Sequence, residues 1–139
     1  MTGNVRLIDR IQFDRKILPD PPRSLVAFAS KLAAEEEYNG PQRRKSPRYR
    51  AVVPVVAMPL DCDFRPQGSP FAAITRDLSM AGLRLFSTRA ANSDFLAVEL
   101  TFPSGQNKQV VLEVYRCKAI GHFYEIAGQI VARTDNPSA

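Results

Sequence analysis

The sequence predicts an all-β fold, a six-stranded antiparallel barrel preceded by one N-terminal α-helix and a basic arm. Three observations carry this expectation. After Ala51, about six short segments rich in β-branched or alternating apolar residues follow one another. Gly, Pro, Ser and Asn clusters separate them, and no helical period intervenes. The 11 prolines favour strand edges, turns and loops over a helical bundle. A single helical stripe occurs, and it lies ahead of all these segments. A chain of 139 residues, 45% hydrophobic and 24% charged, has the composition of one core-bearing domain, which excludes a wholly disordered chain.

Residues 1–19 alternate charged and apolar character without a period and predict no element. Asp20-Pro21-Pro22 is a breaker suited to a helix start. Leu25, Phe28, Ala29 and Leu32 then fall at i, i+3, i+4 and i+7, so a helix is expected over about 23–37. Asn39-Gly40-Pro41 ends it. One amphipathic helix cannot bury its stripe alone. It needs a surface, either its own barrel or a second copy of the chain in a homodimer. Gln42 to Arg50 has no apolar period and reads as an arm. Its like charges repel, with no nearby acid to neutralise them, so it is expected to gain order only on an anionic ligand.

Strands follow. Val52, Val53, Val55 and Val56 predict the first, with Pro54 and Pro59 arguing against a central place in a sheet. Asp61 to Pro70 is a loop. Phe71 to Ser79 and Leu83 to Phe86 are strands around the turn Asp77-Leu78-Ser79-Met80-Ala81-Gly82. Leu96, Val98, Leu100 and Phe102 share one strand face, and Pro103 to Asn107 is a hairpin loop. Gln109 to Ile120 and Phe123 to Ala132 are long strands joined at Gly121-His122, before a polar tail from Arg133. The expected organisation is an extension over 1–39, a barrel domain over 40–133 and a frayed tail over 134–139.

The net charge of +5 favours anionic partners, and its distribution is local. Arg43, Arg44, Lys45, Arg48 and Arg50 fall in a window from Asn39 to Leu60 that holds no acid. Cys62 and Cys117 have no CxxC or Cys/His spacing, so no metal site and no cofactor are expected, and the thiols are read as reduced. Met1 to Phe13 lacks the apolar run of a signal peptide, and 18 consecutive apolar residues occur nowhere. No membrane insertion is expected, and a cytoplasmic location is. One histidine, with no GxSxG and no P-loop, gives no catalytic residues and no enzyme.

Two motifs remain. Arg44-Lys45-Ser46-Pro47-Arg48 has RxxxR spacing with Arg43 ahead of it, and Asp77 to Gly82 has DxSxxG spacing. In this order, on a strand-rich pattern from about Gln42 to Arg133, they resemble the PilZ family. The resemblance implies a module that binds cyclic di-GMP. Arg44 and Arg48 would be the arm residues, with Asp77, Ser79 and Gly82 on the sheet side. Arg43 would go with an intercalated ligand dimer. The chemistry agrees. Arginine forks onto phosphate oxygens and onto guanine O6 and N7, and stacks on purines. Asp77 can accept from guanine N–H groups, and Ser79 can donate or accept. Each residue also has a plainer reading. A basic run can be a solvated face, and Asp77 and Ser79 can cap a turn. Gly82 can be a turn glycine, Gly128 can relieve crowding, and Tyr115, Phe123 and Tyr124 read as sheet packing. The alternatives are a basic barrel binding single-stranded nucleic acid and an adaptor acting by protein contact alone. The lack of tryptophan, and aliphatics where stacking aromatics would be wanted, disfavour nucleic acid. The downstream protein target is not identified by any residue.

Overall fold

A computed structural model describes residues 5–9, 11, 23–38, 53–78, 81–101 and 107–134, the side chains of 32–38, 78, 101 and 107 excepted. The elements in chain order are β1 (Arg6–Ile8), α1 (Arg23–Tyr38), β2 (Pro54–Leu60), β3 (Phe71–Leu78), β4 (Gly82–Ser87), β5 (Phe95–Thr101), β6 (Asn107–Ile120) and β7 (Phe123–Thr134). β2 pairs with β3, β3 with β4, β4 with β7, β7 with β6, β6 with β5, and β5 with β2, all antiparallel. The circuit closes, so the expected six-stranded antiparallel barrel is the fold. Between β6 and β7, Ile120 pairs with Phe123 across a two-residue turn. Gly121 has φ +63 there, as the first position of a II′ turn asks.

Alternation along the strands fills the barrel. Val55, Ala57, Phe71, Ala73, Leu83, Leu85, Leu96, Val98, Leu100, Leu112 and Ile126 form the inner core. The outer wall also carries apolar residues, and two patches of it are covered. Over β3 and β4, Ile74 and Phe86 point outward and are sealed by α1 through Leu25, Phe28 and Ala29. The Phe28 ring stands 5.2 Å from the rings of Phe86 and Phe123. The helix stripe is thus seated on the chain's own barrel, while the Leu32 side chain lies outside the described residues. The second patch, Met58, Leu60, Ala97, Val111 and Ala132, is covered by Ile8, Ile11 and Phe64.

Two expectations are corrected, and one element lies where none was assigned. β1 was not expected; it pairs parallel with Ala132–Thr134 of β7, beyond the reach of β4. With only three residues it has no period to read. That pairing also carries β7 to Thr134, past Ala132, so Arg133 begins no polar tail. Finally, β2 is not an edge strand, since it pairs on both sides despite Pro54 and Pro59. Pro54 is the first residue of the strand, where proline is tolerated. Pro59 lies past the β3 register, which ends at Ala57. Its carbonyl accepts the Gln67 N–H at 2.8 Å, so its nitrogen faces that loop and not β5.

Candidate functional site

The β3–β4 end of the barrel is shaped by a β-bulge. Thr75 pairs with Leu85 and Asp77 with Arg84, which leaves Arg76 as an extra residue. Strict alternation would send Asp77 inward beside Ala73 and Thr75. The inserted residue resets the phase, so Asp77 shares the outer face with Arg84. There the Arg84 guanidinium forks onto the Asp77 carboxylate, with Nε donating at 3.0 and 3.1 Å and Nη2 donating as well. A second bulge lies across the sheet on β6. Val114 pairs with Gly128 and Arg116 with Ala127, so Tyr115 is the extra residue, and it is 67% exposed.

Between these bulges lies a cavity of about 240 Å³, lined by Asp77, Ala81, Gly82, Leu83, Arg84, Tyr115, Gly128 and Gln129. Its floor is close-packed backbone. A Cβ on Gly82 would stand 2.6 Å from the Gly128 carbonyl oxygen, and one on Gly128 would stand 2.9 Å from the Leu112 Cβ. Any side chain at either position would push β4 from β7 or β7 from β6, so both glycines are demanded by strand approach. Crowding at Gly128 is the plainer reading of that residue, and it holds.

The rim is cationic. Glu125 is 2% exposed in its side chain and is held by Arg76 and by Arg116, the latter donating from Nη2 at 3.1 Å. Arg84 approaches the same carboxylate at 4.0 Å. A carboxylate this buried is tolerable only when paired. Among the described residues, three arginines therefore meet two carboxylates, Asp77 and Glu125, an excess of one positive charge in this network. Among the described residues no group of three or more His, Cys, Asp or Glu could hold a metal ion. No helix among them is long and apolar enough to cross a membrane. Cys62 and Cys117 are exposed free thiols.

Of the residues singled out in the sequence, Asp77 and Gly82 both line the cavity. Arg43, Arg44, Arg48 and Ser79 lie outside the described residues. The reading missed Arg76, Arg84, Arg116, Glu125 and Gln129. Arg84 carried a visible signal, a cation between Leu83 and Leu85 directly after the DxSxxG turn. The others come together only through strand pairing. Tyr115, read as sheet packing, is not packed; Phe123 is, against Phe28.

The PilZ domain family model matches residues 42–137. No curated protein matches the chain by sequence. A solved structure that the chain resembles is that of the Bacillus subtilis inhibitor of motility (MotI/DgrA), at 14% identity and a TM-score of 0.49. The likeness covers 65% of this chain and 43% of that one, so the chain spans less than half the length of that protein. The family match takes in well over half of the sequence, from the basic arm through the end of β7. The chain belongs to the PilZ domain family.

Proposed function

We propose that this chain is a regulatory module that binds cyclic di-GMP, repositions its N-terminal segment on binding and signals to a protein partner. The observation that carries the reading is the cavity at the Asp77–Gly82 turn with its cationic rim. A ligand pocket for a whole drug-sized molecule runs to roughly 300–1,000 Å³. This one is smaller, about 240 Å³, and suits one end of a dinucleotide, the rest being closed by the arm. Arg44 and Arg48 supply phosphate and guanine contacts, with Arg43 beside them. Asp77 and Ser79 read a guanine edge. Gly82 keeps β4 down on β7, so that the turn meets the ligand with backbone.

Family membership supports a binding module over an enzyme. Repositioning is supported by continuity of contacts. Arg84 lines the cavity and approaches Glu125, and Arg76 binds Glu125 and lies 5.6 Å over the Phe86 ring, on which Phe28 of α1 sits. Changes in the arginine network therefore reach the helix seat. A cytoplasmic location, where nucleotide messengers are met, goes with this reading.

Titration with cyclic di-GMP, GMP and a short single-stranded oligonucleotide tests it. The cyclic dinucleotide should be preferred. Each of Arg44→Ala and Arg48→Ala should weaken it about tenfold to hundredfold, as loss of a charge-assisted hydrogen bond worth roughly 1.5–3 kcal/mol implies. Preference for the oligonucleotide would select the nucleic-acid reading. A double variant binding like wild type would refute the site.

A further inference from the structure

The geometry points to Tyr115 as a stacking platform for one guanine base of the ligand, an assignment that rests on the proposed cyclic dinucleotide binding and adds its selectivity element. A single exposed apolar side chain is ordinary and needs no explanation. Tyr115 differs because four observations coincide on it. At 67% exposure, it is the only phenylalanine or tyrosine among the described side chains that stands largely in solvent. It is the extra residue of a bulge, where two consecutive side chains of one strand, Tyr115 and Arg116, oppose a single step of the partner strand. Without the bulge, strict alternation would turn Arg116 inward with Leu112 and Val114; with it, Arg116 stands on the outer face beside Tyr115.

The third observation is the cavity. Tyr115 lines it across from the Asp77–Gly82 turn, and two of its other lining residues, Gly82 and Gly128, have no side chain. A cavity walled by an aromatic ring and floored by glycine backbone accepts something flat. The fourth is charge. Arg116 follows Tyr115 directly, with its side chain 46% exposed, and Arg84 lines the cavity itself. A ring beside guanidinium groups suits a ligand that is planar in one part and anionic in the next, as a purine nucleotide is. The exposed amide of Gln129, on the same lining, can meet a polar base edge.

Stacking on an aromatic face is worth roughly 1–3 kcal/mol per base. Tyr115→Ala should then weaken cyclic di-GMP binding about fivefold to hundredfold, converted from that range, while Tyr115→Phe, which keeps the ring, stays within about twofold of wild type. The exposed position makes the truncation safe for the core, and equal melting temperatures would verify that. Because the chain has no tryptophan, Tyr115→Trp places a sole indole at the site. Its emission should be quenched on adding cyclic di-GMP. If wild type binds but Tyr115→Ala binds equally well and the indole emission does not move, the stacking role is wrong. A loss in Tyr115→Phe equal to that in Tyr115→Ala would place the hydroxyl and not the ring in contact, and would also overturn it. Failure of the wild-type chain to bind the cyclic dinucleotide would instead sink the proposed function, and this assignment with it.

Discussion

Gly82 shows how one position can satisfy a motif for a reason the motif does not state. Its lost side chain is explained by the Gly128 carbonyl, 2.6 Å from where a Cβ would stand, before any ligand is considered. Overpacking against backbone costs roughly 1–3 kcal/mol, because neither strand can yield as a flexible side chain would. Gly82→Ala is therefore expected to lower unfolding stability by about that amount in a denaturant titration. A variant as stable as wild type would show that β4 can lift from β7 freely, and the proposed ligand contact would then be the glycine's remaining purpose. Asp77 makes the complementary point. Its sequence position suggested a ligand acceptor, and the structure gives it a protein partner, Arg84, that fixes the carboxylate at the rim. A carboxylate has about four acceptor sites, so partner and ligand can share it.

At the scale of elements, the segment ahead of the barrel does more than precede it. β1 and Ile11 lie on one outer patch and α1 on another. The buried Gln109 amide acts toward Ile11 like a neighbouring strand, accepting the Ile11 N–H at 2.8 Å and donating to the Ile11 carbonyl at 3.0 Å. The Asp61 carboxylate accepts the Asp63 and Arg65 N–H groups, at 2.9 and 3.0 Å, around Phe64, whose φ of +63 is uncommon for a bulky residue. That turn sets the Phe64 ring against Phe95 and under Arg6. Removing residues 1–38 would uncover Ile74 and Phe86, both fully buried, along with Met58 and Leu60. Full burial of each such side chain is worth roughly 1.5–3 kcal/mol. The truncated chain should unfold at clearly lower denaturant and bind a hydrophobic dye. An unchanged midpoint with no dye binding would mean that the extension is dispensable to the barrel.

On the scale of the whole molecule, the proposed site joins parts that are far apart in sequence. The cavity draws on β3, β4, β6 and β7, and the arm that would close it connects to α1 on one side and to β2 on the other. A ligand can shift such an arrangement only by its differential affinity for the two states. Cyclic di-GMP, with two phosphates to pair the arm's arginines, should raise amide hydrogen-exchange protection across residues 40–50. Exchange into Phe28 and its neighbours should change with it, through Arg76 and Phe86. Equal protection in both states, with binding demonstrated, would refute the switch. Binding itself should weaken as salt rises, since exposed charges act through a screened field.

Alternation, turn residues and the i, i+3, i+4, i+7 stripe are local, so the six barrel strands, the Gly121-His122 turn and α1 were legible in the sequence by themselves. So were the two motifs that led to the family, since both are short spacings on contiguous chain. What the sequence could not supply depends on register. A bulge is one residue counted against a partner strand, so neither the outward turn of Asp77 toward Arg84 nor the placing of Arg116 beside Tyr115 exists until β3 pairs with β4 and β6 with β7. Glu125 meets Arg76 and Arg116 across three strands, and no short stretch of sequence holds two of them. Pro59 looked like an edge marker because its neighbour's length was unknown; β3 ends before reaching it, and only closure of the barrel made β2 central. Short-range propensity fixes elements, whereas which side chains share a face is decided by long-range pairing, and the site is a property of that pairing.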